Sequence, residues 1–120
     1  MPIHHVVFRI RQPYFDEIVA GTKKVEVRRL SAHWSAVLAR ITETFKEASN
    51  VLGVVEGIRI KPGLVAVFVC GRQVHRRKVR GVTIADNAEL VLGRPLSAQG
   101  REDVGRGHVL AFDLGEEVSH

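Results

Sequence analysis

Cysteine occurs once in the 120-residue chain, at Cys70, and so do methionine, tryptophan and tyrosine. One thiol excludes an intrachain disulfide and any metal site built on cysteine pairs. It also fits a reducing compartment. No apolar run approaches the roughly 20 residues that cross a bilayer, and Met1 to Gln12 mixes polar and apolar residues without a secretory apolar core. These absences predict a cytoplasmic protein with no membrane partner. Repeats, low-complexity stretches and linkers are absent as well, so one domain over 1–120 is expected, long enough to bury a core of its own. His4 and His5, adjacent on a strand, point to opposite faces and do not readily share one ion, and neither a P-loop nor G-x-G-x-x-G is found. No metal and no cofactor is expected.

What the chain does hold is a soluble globular balance, 45% hydrophobic and 26% charged. Its formal net charge is +5 and its pI about 10.0. That excess suits an anionic partner, most commonly nucleic acid, and serves solubility equally well.

Hydrophobic period divides the chain. Val6, Phe8 and Ile10 alternate with Val7, Arg9 and Arg11 over His5–Arg11, which predicts a strand with one buried face. Tyr14–Ala20 suits a short helix closed by Gly21 as a left-handed cap, and Lys24–Leu30 alternates again. From Ser31 the period changes. Trp34, Val37, Leu38, Ile41, Phe45, Ala48 and Leu52 recur at steps of three and four, which predicts an inserted helix near 32–52 with Ser31 as its cap. Strands follow near 55–60, at Leu64–Cys70, at Val74–Ile84 with a bulge or bend at Gly81, and at His108–Leu114. A short helix is expected at Ala88–Leu92, capped by Asn87, before an irregular stretch over Arg94–Gly107. Five or six strands with a few helices in so short a chain read as α+β. A small mixed or antiparallel barrel fits this length better than a parallel crossover fold.

The densest chemistry is Gly21-Thr22-Lys23-Lys24-Val25-Glu26-Val27-Arg28. On a regular strand Lys24, Glu26 and Arg28 share one face and Val25 and Val27 the other. Lys23 joins the polar face only if the backbone just after Gly21 is irregular. The cations suit a phosphate or carbonyl oxygen, and Glu26 suits a base edge, an amino group or a proton. The competing account is an exposed strand face of Lys-Glu-Arg pairs, which contributes little stability.

The pattern Gly21-x-Lys23-x-x-Glu26-x-Arg28, preceded by a strand and the helix YFDEIVAG, resembles the signature of the activating-signal-cointegrator homology (ASCH) domain. IKPGLVAVFVCG and GHVLAFDLG resemble that family's central and closing strands. Most of the chain is covered except 31–53, which looks like a helical insertion. The resemblance implies a PUA-like barrel with peripheral helices. It also implies a cleft for RNA or a modified nucleoside, rimmed by Gly21 and faced by Lys23, Glu26 and Arg28. Some members are N4-acetylcytidine amidohydrolases, some have proposed ribonuclease activity, and others are known as RNA-associated modules. In the small amidohydrolases a threonine stands three residues after the lysine, whereas Glu26 here agrees with the broader family pattern. Hydrolysis, with Lys23 and Glu26 as catalytic groups and no metal, is therefore one alternative to simple binding.

Other features enter as well. Arg76, Arg77, Lys78 and Arg80 form the densest basic run, either a stripe for RNA phosphates or a solvated strand edge. Ser97, in a polar turn-rich stretch, is a candidate nucleophile or a turn hydroxyl. Glu89 and Glu102 are candidate second carboxylates. Tyr14 and Trp34 could stack on bases, although Trp34 lies on the apolar stripe of its helix. That stripe, from Trp34 to Leu52, would cover the barrel or form a homodimer contact in a non-enzymatic interaction domain.

Overall fold

The computed structural model describes residues 4–44, 49–51, 54–56, 58–86 and 108–119. Among the described residues, nine strands and two helices follow in order: β1 (His5–Arg9), α1 (Gln12–Ala20), β2 (Val25–Arg29), α2 (Ala32–Ile41), β3 (Thr42–Thr44), β4 (Ser49–Val51), β5 (Val54–Glu56), β6 (Arg59–Ile60), β7 (Val65–Cys70), β8 (Gln73–Ala85) and β9 (Val109–Glu117). No described helix is long and apolar enough to cross a membrane.

The mixed α+β architecture is a curled half-barrel, consistent with the small PUA-like barrel that the resemblance implies. Its wall runs β1-β7-β8-β9-β2, with β1 parallel to β7 and the other neighbours antiparallel. The 13-residue β8 makes the curl possible. Its first half pairs with β7 and its second half with β9, and the register against β9 shifts between Arg77 and Val79 and again between Val79 and Gly81. Such irregularities bend and twist a strand, so the bend expected at Gly81 is found. The β4-β5 pair extends the same sheet along β8, and β3-β6 form a separate pair.

Phe8, Phe68 and Phe112 are fully buried at the centre. Phe8 stacks on Phe68 with centroids 5.2 Å apart and meets Phe112 edge-on at 4.9 Å. Phe15 and Ile18 of α1, and Leu38 and Ile41 of α2, join this core. Each large apolar side chain removed from water contributes about 1.5–3 kcal/mol.

Two expectations about helices need revision. Helix α1 begins at Gln12 with Pro13 inside its first turn, where a missing N–H costs nothing. The inserted helix ends at Ile41 rather than continuing to 52. Thr42 turns extended (φ −100, ψ 147), its Oγ1 donates to Leu38 O at 2.8 Å, and β3 pairs with β6. Ile41, Thr42 and Thr44 are β-branched and favour a pleated strand over a fifth helical turn. Phe45, Ala48 and Leu52 lie outside the described residues. Trp34, Leu38 and Ile41 pack onto the chain's own core, so this part of the stripe covers the barrel. The Ala88–Leu92 helix and the 94–107 stretch also lie outside the described residues.

Candidate functional site

Strands β1 and β2 are the two ends of the wall, and no ladder joins them. The seam between them is crossed by a side chain: Arg28 Nη2 donates to Arg9 O at 3.3 Å. Beside this seam lies the polar cluster.

Register explains its burial. Glu26 stands opposite Phe112 and Arg28 opposite Leu110, both core residues. Directly paired residues of an antiparallel ladder project to the same face. Glu26 and Arg28 therefore face the interior of the curl, and the valines take the other side. Glu26 is only 4% exposed. The account of β2 as a solvated ion-pair strand does not hold, because an almost fully buried carboxylate needs partners.

Those partners are Lys23 and Arg28. Lys23 Nζ lies 3.3 Å from Glu26 Oε2, and Arg28 Nε lies 3.6 Å from Oε1. Both cations stay about a quarter exposed, at 22% and 26%. Lys23 reaches the carboxylate because the chain is irregular before β2 starts at Val25. Gly21 closes α1 in the left-handed region (φ 81, ψ 8), and its N–H donates to Ile18 O. The N–H groups of Thr22 and Lys23 both donate to Glu17 O, at 3.0 and 3.1 Å. This folded corner releases Lys23 from strand parity. Lys24 instead is exposed.

Aromatic rings border the cluster. Lys23 Nζ sits 4.6 Å from the Tyr14 ring centroid, while the Arg28 guanidinium lies 5.3 Å from Phe8 and 5.7 Å from Trp34. Trp34 stacks on Phe8 at 5.3 Å. Its backbone N–H donates to Ser31 Oγ, the expected helix cap. Two buried polar atoms of the cluster, Glu26 Oε2 and Arg28 Nε, make no hydrogen bond among the described residues. Chemically, two partly exposed cations flank a nearly buried acid.

The basic run on β8 is divided by strand alternation. Arg77 turns toward α1, donating from Nε to Ile18 O (3.1 Å), from Nη2 to Val19 O (3.5 Å) and from Nη1 to Gly115 O (3.1 Å). It satisfies helix-end carbonyls and complements the helix dipole. Lys78 pairs with Glu116 at 3.1 Å on the surface, and Arg76 is half-buried. Arg80 and Arg77 come together with Lys23 and Lys24 around a cleft. Ser97, Glu89 and Glu102 lie outside the described residues. His75 is buried beside Phe15, and its pKa is lowered by burial first and then by the nearby Arg77, against an upward pull from Glu117.

Gly115 was not singled out from the sequence, although a glycine at the end of an apolar strand signals close approach. A Cβ there would lie 3.1 Å from Arg80 Nε and 3.2 Å from its Cγ.

The ASCH domain family model matches residues 8–89, more than half of the chain and all of the Gly21–Arg28 motif. The chain belongs to the ASCH domain family. No curated protein and no solved structure matches it. Strand β9, against which the motif strand is paired, lies beyond the matched residues.

Proposed function

We propose that this ASCH domain binds RNA or a modified nucleoside at the β1-β2 seam. Lys23 and Arg28 donate to phosphate or carbonyl oxygens, and Glu26 beneath them holds both cations in place. Tyr14 and Trp34 give the opening aromatic surface against which a base can lie. The observation that carries this reading is the placement of Glu26, a carboxylate only 4% exposed on the inward face of β2 between two partly exposed cations. A core position is an expensive place for such a group unless a site needs it. The net charge of +5 supports an anionic ligand.

The test is titration of labelled single-stranded RNA into the native protein and into a Lys23→Ala, Arg28→Ala double variant, each checked for fold by circular dichroism. Affinity should fall at least about tenfold in the variant, in line with the loss of two charge-assisted contacts. Equal affinity would remove the seam from consideration.

The 3.3 Å Lys23–Glu26 pair favours a second reading, hydrolysis of RNA or of an N4-acylated cytidine. Lys23 would stabilise developing negative charge and Glu26 would carry a proton. Chromatography of RNA and N4-acetylcytidine after incubation decides it: a product made by the native protein and absent with Glu26→Gln supports catalysis.

A further inference from the structure

A second cationic site adjoins the seam. Its volume is about 270 Å³, and it lies where the α1-β2 corner meets β8 and β9, lined by Gly21, Lys23, Lys24, Arg77, Arg80 and Gly115.

The charges are arranged for an anion. Lys23 is balanced by Glu26. Glu116 also lines the cleft, but its carboxylate is engaged by Lys78. Among the described residues Arg77 has carbonyl partners and no carboxylate partner. The side chains of Lys24 and Arg80 have neither a hydrogen bond nor an ion pair among the described residues. Among the described residues, Lys24, Arg77 and Arg80 thus bring positive charge to one place, where the lining acid Glu116 is already paired with Lys78.

The backbone gives them room. Arg80 lies close over Gly115, where any Cβ would press on it. Arg77 is fixed by three carbonyls from two elements, which makes its guanidinium a preorganised donor. The N–H groups of Gly21, Thr22 and Lys23 are already directed at Ile18 and Glu17 carbonyls. Recognition therefore falls to side-chain cations, and binding should be sensitive to salt.

We infer that this cleft holds a phosphate group, that of a nucleotide neighbouring the one at the seam. The inference rests on the RNA reading, and Lys23, which belongs to both sites, connects them.

Two probes test it: short single-stranded RNA, followed by fluorescence anisotropy over a salt series, and inorganic phosphate, followed by amide NMR shifts. Arg80→Ala removes a charge. Gly115→Ala keeps every charge but displaces Arg80. Each should weaken RNA binding by roughly three- to tenfold, and Arg80→Ala should lower the salt slope by about 0.7, the value for one lost single-strand phosphate contact. Unchanged affinity and slope in both variants overturn the cleft, and the seam reading survives if Lys23→Ala, Arg28→Ala still loses RNA. Should the native protein bind no RNA, the seam reading fails. Phosphate shifts at Gly21 and Gly115 that vanish in Arg80→Ala would then assign the cleft to a free phosphorylated ligand, and their absence would overturn it.

Discussion

Arg28 reaches from the end strand β2 to the end strand β1 and donates from Nη2 to the main-chain oxygen of Arg9, 3.3 Å away. Where a closed barrel would have a ladder, this one has a guanidinium lying over Phe8 and Trp34 and beside Glu26. One side chain therefore spans the seam and belongs to the cluster proposed to bind RNA. On that proposal, ligand contact is coupled to the relation between the two strands.

That dual role makes Arg28→Lys a non-conservative change. Lysine keeps the charge but loses the planar fork that serves Arg9 O, Glu26 and the rings together. We expect a loss of about 1 kcal/mol in urea unfolding, the size of one typical net hydrogen bond. RNA affinity should fall as well. A variant equal to the native protein in both measurements would show that only the charge matters.

Glu26→Gln should destabilise the domain by about 2 kcal/mol, because a nearly buried acid is removed from between two cations. A double-mutant cycle with Lys23→Ala should give a coupling of at least about 0.5 kcal/mol, as expected for side chains in direct contact. Additive effects would mean that the 3.3 Å contact contributes nothing.

Much of this site is legible in the sequence, but not its direction. Strand parity places Glu26 and Arg28 together, and the glycine before Lys23 signals the corner that frees it. Alternation alone would turn Val25 and Val27 inward. The pairing of Glu26 with Phe112 reverses this, and that pairing is non-local, set by a strand more than eighty residues away. The helix over 32–52 fails for a related reason. Its apolar spacing is helical, but Thr42 and Thr44 favour the strand that Ile60 and Arg59 can pair. The β8 cations were legible as a group, while the separate role of Arg77 depends on where α1 ends.

Gly21 offers a test of the corner itself. Its φ of +81 lies in the left-handed region, where a Cβ costs about 1–2 kcal/mol. The space is not the obstacle, since the nearest atom to such a Cβ, Arg77 Nη2, is 3.7 Å away. Gly21→Ala should therefore lose about 1 kcal/mol, and Gly21→Asn less, because asparagine tolerates this conformation. If alanine and asparagine were equally costly, side-chain crowding rather than backbone conformation would be the cause.

His75 should make stability depend on pH. The ring is 8% exposed, meets Phe15 edge-on at 6.4 Å, and has Nδ1 3.7 Å from Glu117 Oε1. Its Nε2 is buried with no hydrogen-bond partner among the described residues. Burial lowers its pKa below the ordinary 6.5, the neighbouring Arg77 lowers it further, and Glu117 opposes both. In the unfolded chain the imidazole takes up its proton near 6.5, before the folded protein does. Above that pH the group is neutral in both states, and its contribution to stability is fully present. Below it the unfolded state binds more protons, so stability falls as the pH falls toward the folded-state value. Urea unfolding at about pH 7 and about pH 5, which bracket an ordinary histidine, should show a smaller loss in His75→Gln than in the native protein. Identical losses would assign the pH dependence to the carboxylates instead.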